Sequence, residues 1–353
     1  MPNDTSVNDP IPEAGPARKK PRRLWLFAPY VFIAVLALGY GAWWFVVTAR
    51  IEAGLDAHAA ALRSAGYTVE LGPPRIEGFP FRLKVSLGEA RIAAPSGWAI
   101  SAPGLAGEAY LHDPGHWVLS APQGLLVTRP QGGGLMIAGQ ALRASIAGVS
   151  QVPWRIVLEG TKLTFTPAPG ARPFSLASAD KIDAYLQPTP DGTEGMTLVR
   201  LEGGKAAADT LLHRIAGDAV VAGSLEARLS KPGAFRGQGW GEAVRAWSQA
   251  GGTAEAVNAT LTAGKASALA LGGTLAVDAD GRLLGALPLQ LKQAGPALGA
   301  LADSQALDAA TANSAAAVAA ARAQDATANI NLVFQAGAAT LGPVRIGPSP
   351  KVG

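Results

Sequence analysis

Residues 82–87 read R-L-K-V-S-L, a strict alternation of polar and apolar side chains. Successive side chains of a β-strand point to opposite sides, so Leu83, Val85 and Leu87 share one face and the intervening polar residues share the other. Such a pattern is typical of an antiparallel sheet with one buried face. The flanking stretches Y-T-V-E-L (67–71) and E-A-R-I-A-A (89–94) predict neighbouring strands.

The same character extends over most of the chain. Glycine (43 residues) and proline (26 residues) are frequent, and the apolar runs between them have strand length. We therefore predict a fold that is mainly β with helices (α+β), an elongated curved antiparallel sheet with a few packed helices. This β-rich domain covers residues 67–353, and its helical patches lie at 208–218, 239–250 and 296–324. Asp280-Gly281 predicts a type I′ hairpin turn.

One internal echo stands out. W-A-I-S-A-P-G-L begins at Trp98, and W-V-L-S-A-P-Q-G-L begins at Trp117. A hairpin unit repeated along a growing sheet would explain the offset of two short strands. Coincidence in a chain rich in Ala, Pro and Gly is the alternative, and two copies do not decide between them.

Residues 24–47 form an uncharged apolar segment. A helix of that length crosses a hydrocarbon core of about 30 Å, and Trp25, Trp43 and Trp44 lie at its ends as an interfacial belt. A cleaved signal peptide would have a shorter apolar region that ends in small residues. The segment is therefore predicted to be an uncleaved transmembrane anchor.

The flanks of this segment predict its orientation. Basic residues that include Arg22 and Arg23 precede it, so residues 1–23 are predicted to be a disordered, basic, cytoplasmic tail. In a bacterium the protein would then be a single-pass inner-membrane protein with a periplasmic C-terminal domain. Residues 50–66 are expected to continue as a helix that docks on this domain, with Gly66 as its stop signal.

The stretch I-E-G-F-P-F-R (76–82) is a rigid aromatic corner. Pro80 cannot donate to a strand ladder, so it belongs at a strand start, an edge or a bulge. We predict the entry corner of the first strand, with Phe79 and Phe81 on one side of the pleat. Two roles are open: a buried plug at the membrane-proximal end of the sheet, or a lipid-touching lip at the mouth of a groove.

Catalytic and metal-binding patterns are scarce. Without cysteine there is no thiolate site or disulfide frame. His112 and His116 flank Asp-Pro-Gly, which predicts a solvated hairpin loop rather than a metal site, and D-A-D-G (278–281) lacks the downstream Glu of a calcium loop. Asp303, Asp308 and Asp325 are interpreted as helix caps and surface charges. We predict no cofactor, no metal and no enzymatic activity, and the small excess of basic residues is no argument for nucleic-acid binding.

Several stretches together resemble the bacterial DUF2125 family of membrane-anchored proteins of unknown function. They are E-G-F-P-F-R (77–82), W-S-Q-A-G-G (247–252), G-T-L-A-V-D-A-D-G-R-L-L-G-A-L-P-L-Q-L (273–291) and A-T-L-G-P-V-R-I-G (339–347), together with the anchor. The family implies no catalytic residues. Its strand pairs are also similar to those of AsmA-type periplasmic proteins, which implies long curved sheets with an apolar groove, by analogy of architecture alone.

Two functions follow from this reading. The first is an inner-membrane-anchored periplasmic module that binds or passes lipid or another apolar ligand in a sheet groove. The second is an envelope scaffold whose sheet edges pair with other envelope proteins. A continuous apolar groove would favour the first, and a filled core with a free edge strand would favour the second.

Overall fold

The computed structural model describes residues 27–148, 153–237, 239–303, 307–324 and 327–352. Within these ranges antiparallel strands dominate and five helices accompany them. The predicted class, a mainly antiparallel curved sheet with packed helices after an apolar N-terminal helix, is confirmed. The predicted tail, 1–23, lies outside the described residues.

The helices are α1 (Ala28–Ser64), α2 (Leu211–Ala216), α3 (Trp240–Gln249), α4 (Ala294–Asp303) and α5 (Ala309–Ala321). The first strands are β1 (Thr68–Leu71), β2 (Pro74–Glu77), β3 (Arg82–Leu87), β4 (Ala90–Ala93), β5 (Ala99–Ala102), β6 (Leu105–Tyr110), β7 (Asp113–Ser120), β8 (Leu125–Arg129), β9 (Gly133–Ala138) and β10 (Ala141–Ala147). The middle strands are β11 (Arg155–Pro167), β12 (Leu176–Pro188), β13 (Glu194–Ala206), β14 (Val221–Ser230), β15 (Ala254–Ala263) and β16 (Ala266–Ala270). The last strands are β17 (Thr274–Val277), β18 (Leu283–Lys292), β19 (Ala323–Gln324), β20 (Thr327–Gln335), β21 (Ala338–Leu341) and β22 (Val344–Pro348).

Helix α1 is continuous from the apolar segment to Ser64, so the anchor and the docking helix are one element. It ends where expected: Gly66 has φ +86°, its N–H donates to the Arg63 carbonyl, and the Tyr67 N–H donates to the Leu62 carbonyl. This pair of bonds is a Schellman motif, which satisfies carbonyls that the helix end leaves open. By its contacts the chain divides into two compact units, residues 1–49 and 50–353.

The strands β1 to β10 behave as five long strands that are each broken near the middle. The two halves of each long strand pair separately with the two halves of the next one, so that β1 pairs with β4 and β2 pairs with β3. This arrangement repeats along the series, and at its end β9 and β10 both pair with β11. Two branches of the sheet result. Branch one contains β2, β3, β6, β7 and β10; branch two contains β1, β4, β5, β8 and β9.

The breaks form a line across the sheet, which we call the crease. It passes through Gly72-Pro73, Gly88, Pro103-Gly104, Pro122 and Gly139. The side chain of Leu163 on β11 packs into the crease at Gly139. A Cβ built on Gly139 would lie 2.8 Å from a Leu163 methyl and 2.8 Å from the Thr161 carbonyl oxygen. Proline and glycine interrupt the ladder here because proline lacks the donor and glycine lacks the side chain.

The sequence echo lies on the crease. Ser101-Ala102-Pro103 ends β5 and leads into β6, and Ser120-Ala121-Pro122 ends β7 and leads into β8. The repeated unit is therefore a long strand broken at its middle, in two neighbouring copies, and the interpretation as a repeated hairpin is wrong.

Helices α2, α4 and α5 pack on the C-terminal part of the sheet. Leu298 of α4 and Ala315 of α5 form a buried cluster with Ile330 of β20. A second cluster joins Ala216 of α2 to Val221 and Ala263. Helix α3 packs through Val244 and Trp247 on Val277.

One turn differs from its prediction. Among residues 278–281, positive φ is found at Gly281 (+77°), and the Gly281 N–H donates to the Asp278 carbonyl. A type I′ turn needs positive φ at both central residues, so this is instead a type I turn closed by a left-handed glycine. The Asp278 carboxylate accepts from the Asp280 and Arg282 amides and fixes the loop.

Candidate functional site

The most distinctive surface is one face of the sheet, here called the apolar face. The strand register lines up one side chain per strand in an unbroken apolar row from β2 to β20. The row consists of Ile76, Val85, Gly107, Leu119, Ala144, Leu158, Ala184, Val199, Leu225, Ala259, Ala270, Leu289 and Ile330.

The next row of cross-strand partners points the other way and defines the polar face. It consists of Arg75, Ser86, Ala106, Ser120, Arg143, Glu159, Asp183, Arg200, Ser224, Thr260, Leu269, Gln290 and Asn329. Polar side chains dominate this row, whereas the apolar row contains none. The sheet is therefore two-faced over its whole width.

The apolar face is buried at its ends and open in the middle. Val85 is 7% exposed and Ile330 is 3% exposed, but Leu158 is 48%, Val199 40% and Leu225 41% exposed. A two-faced sheet ordinarily covers its apolar side with another layer. In this stretch large side chains face open space, and contiguous patches of that kind mark binding surfaces.

Two apolar cavities lie along this face. One of about 420 Å³ spans β7 and β10 to β12 and is lined by Leu119, Leu142, Leu158 and Ile182 among others. Another of about 420 Å³ lies on branch two, against Ile92, Trp98 and Ile100. Leu105, where β6 leaves the crease, lines both cavities, so they are neighbours on opposite sides of the crease.

The open stretch is long. Seven neighbouring strands, from β7 with Leu119 to β15 with Ala259, cover about 29 Å at about 4.8 Å per strand. The hydrocarbon of one membrane leaflet is about 15 Å deep, half of a core of about 30 Å. The surface is thus long enough for an extended acyl chain.

Residues 78–81 differ from their predicted role. They form the turn that joins β2 to β3, closed by a hydrogen bond from the Arg82 N–H to the Gly78 carbonyl, and the Phe79–Pro80 peptide bond is cis. Phe79 is 56% exposed and Phe81 is 74% exposed. The expectation of two buried rings at a strand entry is wrong, because the motif is a hairpin tip.

A family model described as "Uncharacterized protein conserved in bacteria (DUF2125)" matches residues 44–350. The chain belongs to the DUF2125 family. The resemblance carried by the sequence motifs is therefore confirmed, while the similarity to AsmA-type proteins stays a prediction about architecture. None of the curated proteins and none of the solved structures compared with the chain matches it significantly.

The predicted anchor of this DUF2125 protein belongs to α1, a helix long and apolar enough to span a membrane by length and composition. Of its predicted flanks, Trp43 is 45% exposed and Trp44 is 8% exposed. Arg22, Arg23 and Trp25 lie outside the described residues.

The histidine pair of the DUF2125 chain lies at the hairpin between β6 and β7. His116 is on β7, where its Nε2 is 2.8 Å from the Ser145 Oγ, and His112 is in the turn. Within the described residues no group of three or more His, Cys, Asp or Glu side chains is placed to hold a metal ion. His116 lines a pocket of about 350 Å³ together with Arg82 and Arg143, whereas the His112 ring lies 5.3 Å from the Tyr110 ring, centre to centre.

The shifted pKa values of the described residues belong to structural contacts. A hydrogen bond from the Lys162 ammonium lowers the pKa of Asp180, and the hydrogen bond to Asp183 raises the pKa of Lys181. The Lys181 Nζ lies 2.7 Å from the Asp183 Oδ2. These groups lie on β11 and β12 and are not gathered in either apolar cavity.

Sequence reasoning missed the open part of the apolar face of this DUF2125 protein. The alternation that predicted an inward face in R-L-K-V-S-L is present, but Leu158, Val199 and Leu225 lie in stretches whose alternation is weak. The signal that could have found them is cross-strand: each apolar residue meets another apolar residue in the neighbouring strand, which becomes visible once the register is known.

Proposed function

We propose that this DUF2125 protein is a membrane-anchored, periplasmic, non-enzymatic protein that holds or passes a lipid acyl chain on the apolar face of its sheet. The observation that carries the proposal is the half-exposed run Leu158, Val199 and Leu225 in an apolar row that is buried towards its ends, at Val85 and Ile330. An apolar ligand laid on this run would remove its surface from water, and each square ångström of apolar area so buried contributes about 25 cal/mol.

The proposed location rests on α1 and its flanks. A helix that fits a bilayer, preceded in the sequence by a basic cluster, favours a cytoplasmic N-terminus by the positive-inside rule. The non-enzymatic role is supported by the chemistry of the two cavities, whose walls are predominantly aliphatic. General acid–base or nucleophilic catalysis needs titratable groups that converge on a bound substrate.

The test uses the full chain in lipid nanodiscs that contain a phospholipid with a photoactivatable group on its acyl chain. After irradiation, cross-linked peptides are located by mass spectrometry. We expect cross-links on peptides of β7 and β10 to β14, in addition to cross-links on α1. Cross-links on α1 report contact with the bilayer itself and serve as an internal control.

A matched pair of variants separates ligand binding from general damage. Leu158→Lys places an ammonium on the apolar face, and Val157→Lys places the same group on the polar face one residue away. Leu158→Lys should lower the sheet cross-links by about tenfold or more, since 1.4 kcal/mol is a factor of ten and desolvating an unpaired charge costs more. Val157→Lys should retain them. Cross-links confined to α1 in the wild-type protein would sink the proposal.

The scaffold alternative depends on free sheet edges. β2 pairs with β3 and β22 pairs with β21, so each has an open side among the described residues. The β2 edge carries Pro73 and Pro74, and β22 ends at Pro348, whereas β1 pairs with β4 alone and is a further edge whose four residues include no proline. Proline hinders the addition of a further strand at β2 and β1 is short, so these edges favour the lipid proposal over the scaffold.

A further inference from the structure

Two hairpin tips at the N-terminal edge of the sheet expose aromatic rings. On branch one the tip carries Phe79 and Phe81, and on branch two the β4–β5 tip carries Trp98, which is 51% exposed. The two tips belong to the first three long strands and lie on opposite sides of the crease. They therefore flank one end of the apolar face.

Ring exposure at these tips is unlike that of the core aromatics. Phe165 is 8% exposed and Trp247 is 5% exposed, each inside a buried cluster. Phe81, at 74%, leaves most of a large apolar side chain in water at a position where the hydrophobic effect gives no folding benefit. A partner that removes the ring from water would explain its place.

The chemistry around the tip fits a membrane surface. Arg82 follows Phe81, and its guanidinium lies 5.5 Å from the centre of the Tyr110 ring. Tyr110 is itself 53% exposed. Apolar rings beside a basic group and a tyrosine are the combination that peripheral segments use at the lipid interface, where rings enter the acyl boundary and cations meet anionic headgroups.

The chain length allows the tip to reach the bilayer that holds α1. Residues 48–64, the part of α1 beyond the predicted span, cover about 26 Å at about 1.5 Å per residue. Thirteen residues, 65–77, separate the end of α1 from Gly78. Fully extended, they span at most about 43 Å at about 3.3 Å each.

We propose that the β2–β3 hairpin tip inserts Phe79 and Phe81 into the surface of the same lipid bilayer that anchors α1. The end of the apolar face would then open at the membrane. The proposal extends the proposed function by giving the ligand a route in, but the contact with the bilayer does not require that a ligand binds.

The test uses the full chain in liposomes and exploits its lack of cysteine, which makes a single introduced thiol unique. Phe81→Cys and Lys265→Cys are labelled with an environment-sensitive fluorophore; Lys265 is an exposed residue in the β15–β16 turn. Nitroxide lipids are added to the same liposomes. We expect a blue-shifted emission and strong quenching at position 81, and neither at position 265.

A third label tests the native rings, because the Phe81→Cys change removes one of them. Glu77→Cys carries the fluorophore beside the intact tip, and its quenching should fall by at least about half when Phe79 and Phe81 are both replaced by Ser. The thermal unfolding temperature of this variant is measured beside the wild type, so that lost membrane contact is distinguished from lost folding.

Three results would overturn the inference. The first is equal quenching at positions 81 and 265, and the second is quenching at position 77 that does not change when Phe79 and Phe81 are replaced by Ser. The third is quenching that is also seen when the nitroxide lipids are confined to separate, protein-free vesicles. Leu158→Lys should leave the tip quenching unchanged. In the wild-type protein, acyl cross-links absent from the sheet together with an intact tip contact would refute the proposed function alone, and sheet cross-links without a tip contact would refute the inference alone.

Discussion

At the residue scale, the packing of β11 beside the crease includes positions where a side chain has no room. Gly139 and Gly160 both lie against Leu163, whose side chain is 4% exposed and belongs to the cluster of Leu135 and Phe165. The neighbour on one side of Gly139 is also backbone, the Thr161 carbonyl. A methyl group at Gly139 therefore forces either the leucine or the strand to move.

Gly139→Ala should lower the free energy of unfolding by about 1–3 kcal/mol, the usual cost of overpacking a close-packed site. Urea unfolding of the full chain in a mild detergent, followed by tryptophan fluorescence, measures it. Gly88→Ala is the matched control, since it lies on the same crease with nothing within 4 Å of the added Cβ. Equal free energies of unfolding for the two variants would show that the Leu163 side chain moves aside without a measurable cost.

The residue scale also shows what sequence patterns convey. Gly66 was predicted as a helix stop, and the hydrogen bonds at that helix end bear this out. Phe79 and Phe81 are predicted at the entry corner of a strand, either as a buried plug or as a lipid-touching lip, and the exposure of both rings does not fit the plug. A hairpin tip and a strand entry both favour Gly and Pro, so the letters alone do not separate them.

At the scale of elements, helix α5 packs on its neighbours through small side chains. Its buried residues are Ala312, Ala315 and Ala319, which bury little apolar area each. Its start is fixed by Asp308, whose Oδ1 accepts the Thr311 N–H at 2.8 Å and whose Oδ2 accepts the Thr311 hydroxyl. The reading of Asp308 as a cap is thereby confirmed; Asp325 lies outside the described residues, and Asp303 ends α4.

The cap predicts a pH dependence for α5. The Thr311 hydroxyl and amide lower the pKa of Asp308, so the cap favours folding above the ordinary pKa of about 3.9 and is lost as the pH falls through the lower, folded value. Hydrogen exchange of the first-turn amides should accelerate in Asp308→Ala at pH 7. The difference from wild type should shrink as the pH falls below the lowered, folded pKa of Asp308, where both proteins carry an uncharged residue. A difference that persists there would argue against the cap.

Elements were predicted better than their connections. Helices lie at 211–216, 240–249 and 309–321, inside the predicted patches, and α4 (294–303) begins two residues before the predicted patch 296–324. The sequence did not predict the broken strands, because Ser-Ala-Pro is compatible both with a turn between two strands and with a break within one strand. A broken strand differs from a turn because both of its halves pair with the same neighbouring long strand, as Ala102 does with Ala90 and Leu105 with Leu87. Such pairing is tertiary structure and is not visible in the sequence.

At the scale of the whole molecule, the two-faced character arises from register. A slip of one residue between β11 and β12 would place Asp183 or Tyr185 opposite Leu158, where Ala184 now lies, and would interrupt the apolar row. Composition does not define the strand register, and the weak polar–apolar alternation of the glycine-rich strands does not reveal it. The family and the curved sheet were therefore predictable, whereas the open run of Leu158, Val199 and Leu225 was not.

The proposed lipid, bound to the open middle of the apolar face, should raise the stability of the folded protein. A ligand that binds the folded state alone stabilises it by about 2.7 kcal/mol at a hundredfold excess over its Kd. Delipidated protein in amphipol should therefore melt several degrees higher after a diacyl phospholipid is added, as followed by differential scanning calorimetry. The shift should be absent in Leu158→Lys and present in Val157→Lys. An equal shift in both variants would place the lipid elsewhere than on the apolar face, for example along α1.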